Sequence, residues 1–192
     1  MRIVVTGFEP FGPEAINPSQ EIVKALDPGL DLHCEVLKTE YGYAERRILE
    51  LFRERKPDLL LMLGLAESAP KIRMERIALN LDDASIPDNG GDLRKGQAIR
   101  ESGELALQTR LDLPHVQAAM RSKGHDVDIS NHAGAYICNH IFYTALEHAR
   151  NASPATQCLF VHVPPLRETI EGQRLEDMLA LISNLIGLLS KD

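Results

Sequence analysis

Apolar residues gather in runs of strand length at Ile3 to Val5, Leu59 to Leu63 and Leu159 to Val163. Between these runs lie longer segments whose apolar positions recur at helical spacing. The spacing predicts helices over Pro18 to Leu26, Tyr43 to Arg55, Pro114 to Lys123, a segment from near Cys138 to near Arg150, and Leu175 to Leu189. Such alternation favours an α/β layered fold in which helices cover both faces of a central sheet. Leu32 to Lys38 and Leu105 to Arg110 alternate polar with apolar residues, as half-buried or edge strands do, whereas Leu59 to Leu63 is apolar throughout. That contrast predicts a mixed sheet. Between Asp82 and Gly103 the chain is rich in Asp, Asn, Gly and Pro, with Asn89-Gly90-Gly91 as its clearest turn signal, and reads as a long surface excursion.

Composition narrows the function classes. The 192 residues suffice for one substantial core, and no repeat, low-complexity tract or compositional shift marks a linker, so 1–192 is expected to form a single domain. Hydrophobic residues at 44% and charged residues at 26% exclude a disordered chain. Lys+Arg 21 against Asp+Glu 28 leaves a formal charge of -7, which disfavours nucleic acid and anionic membranes as partners. The mixed charges Glu45, Arg46, Arg47, Arg53, Glu54 and Arg55 read as a solvated helix face. Three cysteines, odd in number and widely separated, fit reduced thiols better than a disulfide framework. Met1 leads directly into the strand-like Arg2 to Thr6 without a signal-peptide pattern, and no apolar run is long enough to span a bilayer, so a cytoplasmic location is expected. No Cys or His pair has zinc-site spacing, and no dinucleotide fingerprint, P-loop or Gly-x-Ser-x-Gly elbow occurs. Neither a metal nor a cofactor is expected.

The most informative stretch is Asn131 to Tyr143, where a glycine-containing turn delivers Cys138 to the first turn of a helix. Unpaired amides and the positive end of the helix dipole favour a thiolate there and offer donors to an oxyanion. The competing interpretation is a small buried hydrophobe, as most free cysteines are. A nucleophile needs a proton acceptor, and His162, at the end of an apolar strand that Pro164 and Pro165 terminate, is the best candidate. His132 is its rival because it precedes the same turn; His140 would point to a different side of the helix, and His148 lies late in that helix, where a cation suits the dipole. Glu75 shares strand parity with Ile77 and Leu79, a costly place for a carboxylate without a partner. It serves equally as the group that orients the imidazole or as a structural ion-pair partner of Arg73 or Arg76. Phe8 and Phe11 follow the first strand and serve either as the lining of a small apolar pocket or as a minor core. Asn17-Pro18 is explained by helix capping.

These residues resemble pyroglutamyl peptidase I, the pyrrolidone carboxyl peptidase family, over nearly the whole chain. The matches are Thr6 to Gly12 followed by Asn17-Pro18-Ser19, then Glu75 to Asn80, Ile86-Pro87-Asp88-Asn89, and Ala133 to His140. The resemblance implies a three-layer α/β/α sandwich, nucleophile Cys138, base His162 and orienting acid Glu75. It implies an apolar lactam pocket formed by Phe8, Phe11, Ile86, Tyr136 and Ile137, with Asn17 ordering the loop. It further implies peptides with N-terminal pyroglutamate as substrates, no metal, a cytosolic setting and a homo-oligomer, often a tetramer. Three departures stand out: Leu65 replaces the family's Gln, Ser68-Ala69 its glycine-arginine pair, and Ser85 its Arg before Ile-Pro-Asp-Asn. His132 replaces a small hydroxyl residue and is a candidate to supply part of what Ser85 lacks. With the triad intact and these polar groups gone, three activities are compatible with the chain: the peptidase, a cysteine amidohydrolase of another small cyclic or N-acyl amide, and a catalytically silent binder.

Overall fold

The computed structural model describes residues 1–13, 15–29, 31–166 and 174–190. Five helices and seven strands are described, alternating except for the run of three strands between the second and third helices. The strands are β1 (Ile3–Phe8), β2 (Leu32–Leu37), β3 (Leu59–Leu65), β4 (Arg73–Leu79), β5 (Ala106–Gln108), β6 (Asp128–His132) and β7 (Gln157–Val163). The helices are α1 (Pro18–Ala25), α2 (Tyr41–Arg55), α3 (Leu113–Ser122), α4 (Ile137–Asn151) and α5 (Leu175–Leu189).

Strands β2, β1, β3 and β7 run parallel in that spatial order. The next strand, β4, is antiparallel to β7 over Arg73 to Glu75 and antiparallel to β5 over Ile77 to Leu79. It pairs in parallel with β6 from Arg73 to Ile77. That span overlaps both antiparallel contacts, so β7 and β5 share one edge of β4 and β6 takes the other. The mixed sheet follows from the sequence chemistry. In β3 all seven residues are buried between strands on both sides, whereas β4 carries Arg73, Glu75 and Arg76 among its apolar positions and lies toward the sheet's margin.

Each face of the sheet has its own apolar core. Val5, Leu61, Leu63, Met74 and Val161 pack against Ile22 of α1, Met120 of α3 and Leu185 of α5. Val4, Phe8, Met62 and Phe160 pack against Ile48 of α2 and Phe142 of α4. The result is the expected three-layer sandwich. Asn17 caps α1, its Oδ1 accepting from the Ser19 amide at 3.0 Å, with Pro18 opening the helix.

Three expectations need correction. The polar stretch Asp128 to His132 forms β6, which lacks the apolar alternation that would have predicted a strand. The mixed charges of α2 are not simply solvated: Glu45 faces His140 and Arg100, and Arg47 binds Glu35, Glu50 and Glu54. His148 packs on Phe52 with ring centroids 4.5 Å apart, and burial together with Arg53 lowers its pKa, so it is disfavoured as the helix-end cation.

The excursion from Asp82 to Gly103 is tied down rather than loose. Asp88 Oδ2 accepts from the Tyr41 amide at 2.8 Å, capping α2 from a distance, while its Oδ1 accepts from the amides of Gly90 and Asp92. Asn89 Nδ2 donates to Glu9 Oε1 and to the Pro10 carbonyl. The Ile-Pro-Asp-Asn motif thereby locks the excursion to the β1–α1 loop.

Candidate active site

A cavity of about 770 Å³ opens where β1, β3 and β7 end and β4 begins, beside the N-terminus of α4. Its lining includes Cys138, His162, Phe8, Phe11, Asn17, Leu65, Tyr136 and Ile137. Ile86 is the exception among the pocket residues that the family resemblance implies. It is 38% exposed and lies over the Gly12 turn, outside the cavity lining.

Glu75 is fully buried on β4. Its Oε1 lies 2.7 Å from His162 Nδ1 and 3.1 Å from Arg73 Nε, so the carboxylate meets an imidazole and an arginine at once. With Nδ1–H directed at Glu75, the imidazole keeps Nε2 for a proton acceptor's role. The ring of Phe160 packs at 4.9 Å from that of His162 and limits its freedom to turn.

Cys138 is the second residue of α4. Helices α1 and α3 are capped by their own Asn17 and Asp112, and α2 by Asp88, but the N-cap of α4, Tyr136, makes no side-chain cap bond. The first-turn amides of α4 are thus left to the cavity. Gly64 permits this arrangement, because a Cβ there would stand 2.8 Å from Cys138 Sγ and 2.8 Å from Phe160 Cζ. The thiol does not meet the expectation of a lowered pKa. Although Cys138 retains some exposure to the cavity, burial of its sulfur and the nearby Glu75 charge push it up to about 12, against the pull of its own amide. The surroundings of the sulfur therefore favour the thiol over the thiolate.

His132 lines the cavity, and its Nδ1 accepts from the Gly134 amide at 3.2 Å, which leaves Nε2 as the donor. His140 points away as expected and is buried behind the site, with Nδ1 2.9 Å from Asp82 Oδ2 and Nε2 3.3 Å from Glu45 Oε2. Burial works against its charge, yet the two carboxylates outweigh that effect and raise its pKa. Leu65, Ser68 and Ser85 all line the cavity, whereas Ala69 is buried outside it. Sequence reasoning missed Thr39, Arg73, Ser130 and Asn131 as lining residues. For Arg73 a signal existed, since it shares strand parity with Glu75. Among the described residues no three His, Cys, Asp or Glu side chains converge as a metal site requires, and no helix is long and apolar enough to cross a membrane.

Comparison with known proteins agrees with this geometry. The pyroglutamyl peptidase family pattern matches residues 1–182. Pyrrolidone-carboxylate peptidase of Streptococcus suis is 38% identical over 173 residues, covering 88% of this chain and 80% of that protein. Its counterpart from Pyrococcus furiosus is 36% identical over 174 residues, covering 88% and 84%. A solved variant of the Pyrococcus furiosus pyrrolidone carboxyl peptidase superposes with a TM-score of 0.91 at 32% identity, covering 97% of each chain. Pyroglutamyl peptidase I of Bacillus amyloliquefaciens superposes at 0.88 with 29% identity, covering 95% and 91%. Sequence and fold agree over nearly the whole length: the chain belongs to the pyroglutamyl peptidase family.

Proposed function

We propose that this protein is a cysteine-type omega-peptidase that hydrolyses the amide bond after an N-terminal pyroglutamyl residue. In this reading Cys138 is the nucleophile, His162 the base and then the acid, and Glu75 the group that orients His162. The observation that carries it is the 2.7 Å contact from His162 Nδ1 to Glu75 Oε1 in the wall of a cavity that Cys138 also lines.

The chemistry balances without a metal or cofactor. The Cys138 proton passes to His162 Nε2 as sulfur bonds to the pyroglutamyl carbonyl carbon, and the uncapped amides of α4 donate hydrogen bonds to the developing oxyanion. His162 returns that proton to the leaving amine as the C–N bond breaks, giving a thioester. Water then attacks the thioester, its proton moves through His162 to the departing sulfur, and pyroglutamate is released.

Phe8, Phe11, Tyr136 and Ile137 give the lactam an apolar setting, with the rings of Phe11 and Tyr136 5.8 Å apart. Asn17 acts on the loop rather than the ligand, because its Nδ2 donates to the Glu9 carbonyl and its Oδ1 is used by Ser19. An N-terminal glutamine would bring an ammonium into this setting at a cost on the order of several kcal/mol. Matched peptides beginning with pyroglutamate and with glutamine test this by mass spectrometry. Only the first is expected to be cleaved, and His162→Ala should slow that cleavage by roughly 10²-fold or more. Equal cleavage of both peptides would overturn the assignment.

Leu65 and Ser85, set in the lining where the resemblance implies Gln and Arg, together with Ala69 buried beside it in place of a second Arg, favour a second reading: an amidohydrolase of another small cyclic or N-acyl amide. A panel of such amides separates the two. We further propose that residues 1–192 work as one domain in the cytoplasm and assemble as a homo-oligomer, a tetramer by family resemblance, which light scattering of the purified protein reads directly.

A further inference from the structure

The cavity changes character along the sheet. Its lining follows the spatial order of the strands, with Phe8 on β1, Leu65 on β3, His162 on β7, Arg73 on β4 and Ser130 on β6. Neighbouring strands lie about 4.8 Å apart, so Arg73 stands one strand from His162 on one side and Phe8 two strands away on the other. Arg73 is the direct cross-strand partner of His162. The β1 end is aromatic, whereas the β4 and β6 end presents Arg73, Ser130, Asn131 and His132.

Arg73 is held but not used up. Its Nε is fixed by Glu75 at 3.1 Å, its side chain is 31% exposed, and its terminal Nη groups make no hydrogen bond to any described residue. A guanidinium anchored at Nε presents its remaining N–H groups as a fork that fits a carboxylate. Glu67, an exposed carboxylate of the same cavity, follows β3, on the far side of β7 from Arg73. A five-membered lactam fills only part of about 770 Å³. With the lactam at the aromatic end and its carbonyl at Cys138, the residue that carries the leaving amine extends over β7 toward Arg73.

We propose that Arg73 is a specificity-determining residue that binds a carboxylate on the residue following pyroglutamate, supplied either by an acidic side chain or by the free C-terminus of a dipeptide. The proposal rests on the peptidase reading above. The test measures kcat/KM for pyroglutamyl-alanine amide, pyroglutamyl-alanine and pyroglutamyl-aspartate amide with the wild type, Arg73→Gln and Arg73→Lys. At least one carboxylate substrate is expected to exceed the neutral amide roughly tenfold in the wild type, once solvent exposure of the pair is discounted. Which one does so identifies the source of the carboxylate. That excess should shrink with added salt, collapse toward one in Arg73→Gln and survive in part in Arg73→Lys. Because Arg73 also bonds Glu75, Arg73→Gln lowers all three rates together, and a purely structural role would leave their ratios untouched. Ratios near one in the wild type, or unchanged in Arg73→Gln, overturn the proposal while turnover of the neutral amide leaves the peptidase reading standing. Turnover of none of the three overturns both. The salt series on the wild type decides the question should Arg73→Gln fail to fold.

Discussion

At the scale of single residues, the site is defined by how little freedom its atoms have. Glu75 Oε1 is shared between His162 and Arg73, and Gly64 leaves only enough room for the Cys138 sulfur. The enclosure of the Cys138 sulfur disfavours its anion, since burial and Glu75 push the thiol up to about 12. Alkylation of Cys138 by iodoacetamide is therefore predicted to keep rising with pH beyond about 9, the range where an ordinary thiol with a pKa near 8.5 levels off. A plateau below pH 8 would reveal a thiolate already paired with imidazolium and contradict this. That Cys138 and His162 line one cavity with Glu75 against the imidazole is in keeping with the sequence, where each departs from a pattern: a cysteine opening a helix, a histidine ending an apolar strand, a carboxylate among apolar neighbours. The direction of the thiol shift was not legible there, because it depends on the atoms that close around the sulfur from β3, β4 and β7.

At the scale of elements, α4 does two things. Its uncapped first turn faces the cavity, and two residues after Cys138, His140 binds the excursion from behind. Asp82 accepts from His140 and from Arg94, whose guanidinium carbon lies 4.1 Å from the Tyr41 ring centroid, and Tyr41 packs edge-on against Tyr136 of the cavity at 5.8 Å. The folded state raises the pKa of His140, so its stabilising contribution is complete below the unfolded value near 6.5 and is lost as pH rises through the folded value. The difference in melting temperature between the wild type and His140→Gln should accordingly be largest near pH 6 and shrink toward pH 9. A difference that grows over that interval would contradict the charged pairing. The helices were read from the sequence within a few residues because their apolar positions repeat, and α5 was read to its ends. Strand β6 was not, because Asp128 to His132 is held by pairing with β4 and carries no period of its own. The excursion was recognised by its turn residues, but the anchoring by Asp88, Asn89 and His140 depends on partners dozens of residues away.

At the scale of the whole molecule, the mixed sheet turns strand order into substrate geometry. Parallel strands bring Phe8, Leu65 and His162 to one edge, and reversal at β4 brings the start of that strand, with Arg73 and Glu75, to the same edge. An apolar end, His162 and a charged end follow in one line across the sheet. The α/β class and the mixed sheet were legible from apolar runs of two kinds. The antiparallel placement of β4, which makes the site, was not, because strand direction is a property of connections rather than of local sequence. The central claim is that Cys138 attacks the carbonyl of a pyroglutamyl group in this cavity, and release of a fluorophore from a pyroglutamyl amide under reducing conditions, with wild type and Cys138→Ala side by side, tests it most directly. The account predicts turnover by the wild type and a loss of at least about 10³-fold in the variant. Equal turnover by both, or none by a folded wild type, would contradict it.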